Sequence, residues 1–270
     1  MFDIGIHSPA AEKDVIFKDG TLKLYKYMPF NKNTLDAFIN EYTWYSSPMS
    51  FNDPFDCALV KGIKFKEFFL EKKKILSLTT EYNNLLMWSH YANFHTGICI
   101  EYTAYDSNNI EYLRQKGIFG DSPTDRLLII QNARKVRYEK TSQINKYLDS
   151  LPCSDQDLMT LHGEKRADEN AEKLYSKLSE ALTIKHESWS YENEYRIIHD
   201  GQNRSFHPGK TTKIFLGAKM APQDKLTLST LINSDTELVC MEFSQNKYEL
   251  KQRKLNPEID FKGIGLQLDS

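Results

Sequence analysis

The stretch "SWSYENEYRII" (188–198) has the alternation of a β-strand and is the best guide to the fold class. On a strand, Glu192, Glu194 and Arg196 project together from one face. The residues before it, 164–187, predict a long helix, because alanines and leucines recur there at helical spacing. The segments after it return to strand patterns. The chain therefore passes from helix to strand and on to further strands, without a steady βαβ rhythm.

The same alternation recurs on both sides of this stretch. Strands are predicted over residues 21–28, 42–47, 75–80, 97–103, 133–140, 211–218, 237–244 and 247–254, and shorter helices over 83–92 and 222–232. This mixture predicts an α+β fold, in which helices pack on a bent, largely antiparallel sheet. We expect a short N-terminal extension over residues 1–20. Residues 21–270 then form a single α+β domain with a helical insertion at about 104–187.

Composition limits the classes of function. The 270 residues include 35 basic and 37 acidic side chains, so the net charge of −2 gives no indication of a nucleic-acid partner. No apolar run approaches the roughly 20 residues that span a bilayer, and the first residues lack the pattern of a signal peptide. The four cysteines form no C-x-x-C pair. We expect a cytoplasmic protein with free thiols and neither a membrane partner nor a bound metal.

Two polar segments are candidates for a site. In "SSPMSFNDPFDC" (46–57), Asn52 and Asp53 lie among apolar neighbours that hold the loop against the core, although capping of the next helix is an alternative role. In "LMWSHYANFHTGICIEY" (86–102), the candidates are two histidines with aromatic neighbours, namely Trp88, His90, Tyr91 and His95. Histidine titrates near neutral pH and can orient a ligand, although a core position or a helix cap is the alternative.

The opening stretch has two interpretations. Arg196 can pair with Glu194 and keep that carboxylate ionised in a salt-bridged, solvated face. Alternatively, Glu192 and Glu194 raise one another's pKa at a site where one bonds a sugar and the other stabilises positive charge.

Lys26 shares a predicted strand face with Leu22 and Leu24. A lysine on such a face either extends to the edge or points into a wet cleft. In a cleft, Lys26 together with Tyr25 and Tyr27 suits a phosphate or pyrophosphate attached to a flat ring.

Taken in order, these motifs resemble a known family. The segments "LYKY", "SSPMSFNDPFDC", "LMWSHYANFHTGICIEY", "KHESWSYENEYRII" and "KIFLGAKM" resemble the bacterial proteins grouped as domain of unknown function 2971. The resemblance covers about residues 21–235. Each motif is short, but their combination and order are specific.

A more distant likeness is to ADP-ribosyltransferases, which carry an early basic or aromatic strand motif, a serine motif and a late E-x-E. The likeness implies that Tyr25 or Lys26 holds NAD and that Ser46 and Ser47 build the nicotinamide pocket. It also implies that Glu192 and Glu194 form the carboxylate motif, with Glu194 stabilising the positive charge as nicotinamide leaves. The chain departs from that pattern because "LYKYM" contains neither Arg nor His; His90 or His95 would then take that place.

The resemblance implies an NAD-dependent ADP-ribosyltransferase or NAD glycohydrolase, in the role of a bacterial antiphage or toxin effector. Its partners would be a nucleotide and a macromolecular acceptor. Two alternatives stay open: a non-enzymatic module that binds a nucleotide or a protein, and a nuclease. The nuclease would hold Mg²⁺ through Asp53, Asp56, His90 and Glu194.

Overall fold

The computed structural model describes residues 21–58, 69–105, 132–151, 167–262 and 264. The expected N-terminal extension over 1–20 and Cys153 lie outside the described residues, as do 106–131 and 152–166 of the expected insertion. The other three cysteines are buried free thiols at positions 57, 99 and 240.

The described residues form an α+β fold, as the sequence predicts. The strands are β1 (Thr21–Met28), β2 (Thr43–Trp44), β3 (Lys73–Thr79), β4 (Ile98–Tyr105), β5 (Arg134–Lys135), β6 (Arg137–Glu139), β7 (Ile184–His186), β8 (Glu194–Asp200), β9 (Arg204–Ser205), β10 (Lys210–Leu216), β11 (Glu237–Phe243) and β12 (Leu250–Lys254). The helices are α1 (Lys32–Ile39), α2 (Leu85–His90), α3 (Thr141–Asp149), α4 (Ala167–Ala181), α5 (Pro222–Leu231) and α6 (Pro257–Asp260).

Eight strands form one sheet in the order β12-β11-β10-β4-β1-β3-β8-β5. Every neighbouring pair is antiparallel except β10 and β11, which are parallel. A parallel pair needs a crossover connection, and α5 lies in the connection between β10 and β11. The sheet is therefore mixed but largely antiparallel, as predicted.

Both faces of the sheet are covered by apolar side chains. On β1, Leu22 and Leu24 pack in a cluster with Leu76 and Ile100, whereas the alternate side chains join a second cluster around Trp88. A strand buried on both faces is apolar along most of its length. The lysine at position 26 is therefore an exception on the most central part of the sheet.

The sheet opens between β1 and β3. β1 pairs with β4 along all eight of its residues, but it pairs with β3 only at Tyr25 and Thr79. Farther along β3, the backbone of Ile75 pairs instead with Ser46, at distances of 2.8 and 2.9 Å. The two strands thus diverge, and the gap between them ends at the Ser46 bridge.

The opening stretch differs from the predicted strand in its first half. Glu187–Glu192 forms a 3₁₀ turn, Asn193 follows in the left-handed region (φ 43°), and β8 begins only at Glu194. Asn tolerates that conformation better than most residues, and its backbone N–H bonds the carbonyl of Ser190. The prediction that Glu192 lies on the strand is therefore wrong.

The predicted helix over 164–187 also ends too late. α4 ends at Ala181, and the next residues form β7, which pairs in parallel with β6. The reason is local, because the N–H and hydroxyl groups of Thr183 both donate to the carbonyl of Glu180 and close the last turn. Lys185 consequently lies on a strand.

Candidate functional site

A pocket of about 220 Å³ lies in the gap between β1 and β3. Ten of the residues proposed from the sequence line it: Tyr25, Lys26, Tyr27, Ser46, Asn52, Asp53, Asp56, Tyr91, Glu192 and Glu194. Lys185 and Trp189 also line it, and Lys185 forms a charged wall with Asp56, Glu192 and Glu194. Residues more than 160 positions apart in the chain therefore meet at one place.

Lys26 lies where β1 and β3 have separated. Its Nζ donates to the carbonyl oxygen of Ser77 on β3 at 3.1 Å. Burial lowers the pKa of Lys26, and the negative charges of Glu194 and Glu192 oppose that shift only in part. Lys26 is thus a half-buried cation in a central strand, at the edge of a pocket.

Glu194 is held as a carboxylate. Its Oε1 accepts from Arg196 Nε at 2.8 Å and its Oε2 accepts from Arg196 Nη2 at 2.9 Å, a two-pronged pair. Lys185 Nζ lies 3.4 Å from Oε2. Although burial acts to raise it, Arg196 and Lys185 lower the pKa of Glu194 to about 2.

Glu192 has the opposite shift. Its Oε2 accepts from Lys185 Nζ at 2.6 Å, and its Oε1 accepts from the hydroxyl of Tyr91. Burial, assisted by the charge of Glu194, raises the pKa of Glu192 despite the attraction of Lys185. The two glutamates are thus joined through one lysine, and their environments separate their pKa values.

A third carboxylate completes the charged wall. Asp56 lies 2.8 Å from Arg196 and 3.3 Å from Lys185. Arg196 is fully buried and also donates to the carbonyl of Leu182 at 2.7 Å. The wall therefore holds three acidic and two basic side chains, and Lys26 is the additional cation lining the same pocket.

Aromatic rings border this charged wall. Lys185 Nζ lies 5.0 Å from the centre of the Trp189 ring, within the range of a cation–π contact. Tyr27 also lines the pocket, and its ring packs edge-on against Trp88 at 5.2 Å. The pocket thus combines flat apolar surfaces with charges of both signs, as small-molecule sites commonly do.

Five residues proposed from the sequence do not line the pocket: Ser47, Trp88, His90, His95 and Arg196. Ser47 caps the 3₁₀ turn Pro48–Ser50, and Trp88 is fully buried with its Nε1 donating to the carbonyl of Tyr82. His95 is buried beside Trp88, and burial lowers its pKa. His90 is exposed, with its ring 6.2 Å from that of Tyr191.

The two polar residues of the 46–57 loop differ in their roles. Asp53 accepts from the backbone N–H of Phe55 at 2.9 Å, which forms a local turn. Asn52 is exposed at the pocket. The loop thus brings one free amide to the site and uses the neighbouring carboxylate to hold its own shape.

Sequence reasoning missed Lys185 as a site residue. It lay inside the quoted segment "KHESWSYENEYRII", but the predicted helix concealed it. The sequence signal for a strand here is the alternation over residues 183–186. On such a strand, Lys185 projects from the face opposite to that of Ile184 and His186.

The carboxylates that the nuclease hypothesis assigned to Mg²⁺ bond other groups. Asp56 and Glu194 bind Arg196 and Lys185, and His90 lies apart from the pocket. Within the described ranges, no group of three or more His, Cys, Asp or Glu side chains is arranged to hold a metal ion. Across the same ranges, no helix has both the length and the apolar character needed to cross a membrane.

Comparison with known proteins gives one match. Neither the curated proteins nor the solved structures contain a match to this chain. Residues 87–197, which contain Tyr91, Lys185 and both glutamates, match the family described as "Protein of unknown function (DUF2971)", as the order of the sequence motifs predicted.

Proposed function

We propose that this protein is an enzyme that cleaves the N-glycosidic bond of a nucleotide, with NAD as the first substrate to test. The observation that carries the proposal is the meeting of Glu192 and Glu194, through Lys185, at the wall of a pocket that also contains Lys26. Such an enzyme would be an NAD glycohydrolase or an ADP-ribosyltransferase, depending on whether water or a macromolecule accepts the sugar.

The chemistry of NAD cleavage needs a fixed negative charge. When the bond between the ribose carbon and the pyridinium nitrogen breaks, its electron pair neutralises the ring, and positive charge develops on the sugar. A carboxylate that is already ionised and oriented stabilises that charge without reorganising. Glu194 meets this requirement, because Arg196 holds both of its oxygens and keeps its pKa low.

The second step needs a proton acceptor. Water or another hydroxyl attacks the sugar carbon, and its proton passes to a base as the new C–O bond forms. Glu192 suits this role because its pKa is raised, and because a carboxylate oxygen of Glu192 can accept the proton once Tyr91 or Lys185 releases its hydrogen bond to that oxygen. Glu194 would stabilise charge, and Glu192 would take the proton.

The other pocket residues suit the rest of the substrate. Lys26 is placed for a phosphate, and Tyr27 and Trp189 offer flat surfaces for rings. Ser46 and Asn52 supply small polar groups that can bond an amide or a ribose hydroxyl. Consumption of NAD would fit an antiphage or toxin effector acting in the bacterial cytoplasm.

A second candidate function is binding of a nucleotide without turnover. It is favoured by the fully paired state of the charged wall, where each oxygen of Glu192 and Glu194 already accepts a hydrogen bond. In that case the wall would hold the pocket in shape, and the ligand would contact mainly Lys26 and the aromatic rings.

One experiment separates the two candidates. The purified full chain is incubated with NAD, with and without a bacterial lysate as a source of acceptors, and nicotinamide and ADP-ribose are quantified by chromatography. Release of nicotinamide supports the enzyme, and free ADP-ribose marks a glycohydrolase. Calorimetric binding of NAD without release supports the second candidate. The proposal would be contradicted if the protein neither released nicotinamide nor bound NAD.

A further inference from the structure

A second pocket, of about 370 Å³, lies on the other face of the sheet. Ile100 and Tyr102 of β4 line it, and their partners across the strand pair are Lys26 and Leu24, so all four share that face. The remaining walls come from α1 and from the segments around β2 and β9. No role in the proposed reaction is assigned to this pocket.

The two pockets share two lining residues, Lys26 and Ser46. These are the same residues that mark the gap in the sheet, where Lys26 reaches β3 and Ser46 bridges to Ile75. The gap between β1 and β3 therefore borders a pocket on each face, and one lysine lies between them.

The second pocket has a flat, partly exposed aromatic surface. Trp44 is 50% exposed, which is high for a tryptophan inside a concave surface. Beside it, the guanidinium of Arg204 lies 4.6 Å from the centre of the Tyr42 ring and is held by Asp36 at 3.2 Å. The Trp44 ring and the ion-paired guanidinium of Arg204 thus lie next to each other.

The floor of the pocket is polar and neutral. His207 accepts or donates at Nδ1 to the hydroxyl of Thr43, at 2.7 Å, and its ring stacks on Tyr102 at 6.1 Å. Burial lowers the pKa of His207, so its imidazole is uncharged near neutral pH and can bond a base edge. Flat surfaces, a neutral polar floor and cations at the rim are complementary to a nucleoside carrying a phosphate.

We propose that this second pocket binds a nucleoside phosphate, with its base beside Trp44 and its phosphate at Arg204 and Lys26. The inference does not depend on catalysis in the first pocket, because it rests on Trp44, Arg204 and His207, which do not line that pocket, and shares with it only Lys26. The ligand has two sources: the second nucleoside of a dinucleotide whose other half occupies the first pocket, or a separate mononucleotide.

The three tryptophans of the chain make a direct test possible. Trp44 lines the second pocket, Trp189 lines the first, and Trp88 is fully buried. In the Trp189→Phe variant, we expect AMP to quench the fluorescence in a saturable way. The matched Trp44→Phe variant should lose that response to AMP, because its remaining reporters do not contact the second pocket.

NAD distinguishes the two sources of ligand. If NAD spans the gap, it should quench the fluorescence of both single variants and compete with AMP. If the second pocket is a separate mononucleotide site, AMP should quench the fluorescence without competition from NAD. Either outcome supports the pocket. In both cases, Arg204→Gln should weaken AMP binding at least fivefold and leave adenosine binding unchanged.

The proposal fails if neither AMP nor NAD, at millimolar concentration, changes the fluorescence of folded Trp189→Phe protein. It also fails if AMP changes the fluorescence of Trp44→Phe as much as that of Trp189→Phe. Nicotinamide release by the wild-type protein is measured in parallel with these binding experiments. A failure of the second pocket is thereby distinguished from a failure of the proposed reaction.

Discussion

Glu192 and Glu194 lie two positions apart and share Lys185, yet their pKa values shift in opposite directions. The difference comes from Arg196, which bonds both oxygens of Glu194 and neither oxygen of Glu192. The backbone makes this arrangement possible, because the left-handed Asn193 turns the chain between them. One residue between two glutamates thus creates one permanent anion and one candidate proton acceptor.

The buried arginine gives a first prediction. Arg196→Met should lower the free energy of unfolding by about 3–5 kcal/mol, because it leaves Glu194 and Asp56 buried without their main partner. The matched control is Arg204→Met, whose exposed pair with Asp36 should matter by about 1 kcal/mol or less. Urea unfolding measures both, and equal effects for the two variants would refute the difference.

The lowered pKa of Glu194 gives a second prediction. Because its pKa is about 2 in the folded protein and about 4.3 in an unfolded chain, Glu194 stabilises the fold above that window. The contribution, about 3 kcal/mol, is lost as the pH falls from about 4 towards about 2. Urea unfolding should therefore show the gap between wild type and Glu194→Gln closing over that range. A constant gap would contradict the assignment.

Glu192 affects a different range of pH. Its raised pKa means that the folded protein takes up this proton at a higher pH than the unfolded chain does. Ionisation of Glu192 therefore lowers the stability of the fold at pH values above the ordinary glutamate pKa. Protonation of Glu194 lowers the stability at pH values below the ordinary glutamate pKa. Any proton acceptance by Glu192 would also be lost on the acid side, at a higher pH than for an ordinary glutamate.

At the scale of elements, the site depends on the separation of β1 from β3. Antiparallel strands normally continue their ladder, but here the carbonyl of Ser77 accepts from a lysine side chain. The lysine side chain replaces the backbone partner of this one carbonyl, so the Ser77 carbonyl stays hydrogen-bonded where the strands separate. The opening is thus built into the sheet and belongs to the resting fold.

The third prediction concerns Lys26. Lys26→Met should leave the free energy of unfolding equal or higher, because burial already disfavours the charged lysine. The same change should weaken NAD binding at least tenfold if Lys26 holds a phosphate. The control is Lys251→Met, an exposed lysine on β12. Calorimetry and urea unfolding are the measurements, and unchanged NAD binding would rule out the phosphate role.

Several elements could be predicted from the sequence alone. β1, α2 and β4 agree with the prediction to within two residues, because alternation and helical spacing are local signals. Lys26 was identified for the same reason, as a lysine on an apolar face. The ADP-ribosyltransferase likeness predicted one cleft for Lys26, Ser46, His90 and Glu194, and the pocket contains the first two and Glu194 but not His90.

The rest of the site depends on contacts that no local pattern encodes. Lys185 forms an ion pair with Asp56, which lies more than a hundred residues earlier in the chain. The 3₁₀ turn before β8 depends on one left-handed asparagine, and alternation in the sequence continues through it. Sequence reasoning therefore located both glutamates and the pairing of Arg196 with Glu194, but not Lys185, which contacts Glu192 and Asp56.

At the scale of the whole molecule, the family match and the sheet do not coincide. Residues 87–197 contain β4 and the first four residues of β8, but β4 pairs with β1 and β10, and β8 pairs with β3. All three of those partners lie outside the match. The matched segment holds both glutamates, whereas Lys26 and, apart from Ile100 and Tyr102, the lining of the second pocket lie outside it.

The fourth prediction follows from that mismatch. A fragment of residues 87–197 should not fold alone, because β4 loses both of its neighbours, and the part of β8 that remains loses β3 and keeps only the two-residue strand β5. Its amide NMR spectrum should be narrowly dispersed, whereas the full chain should give a well-dispersed spectrum. A folded fragment would show that the central strands are dispensable for this part of the fold.

The central claim is that Glu192 and Glu194 serve a reaction as well as the fold, and Glu192→Gln tests it most directly. Glu192 lies in the same 3₁₀ turn as the exposed Glu187, so Glu187→Gln is the matched control. We predict that Glu192→Gln lowers the rate of nicotinamide release from NAD at least a hundredfold, with native folding confirmed by circular dichroism, while Glu187→Gln keeps the wild-type rate. Equal rates for the wild type and a folded Glu192→Gln variant, or no release by the wild type, would contradict the claim.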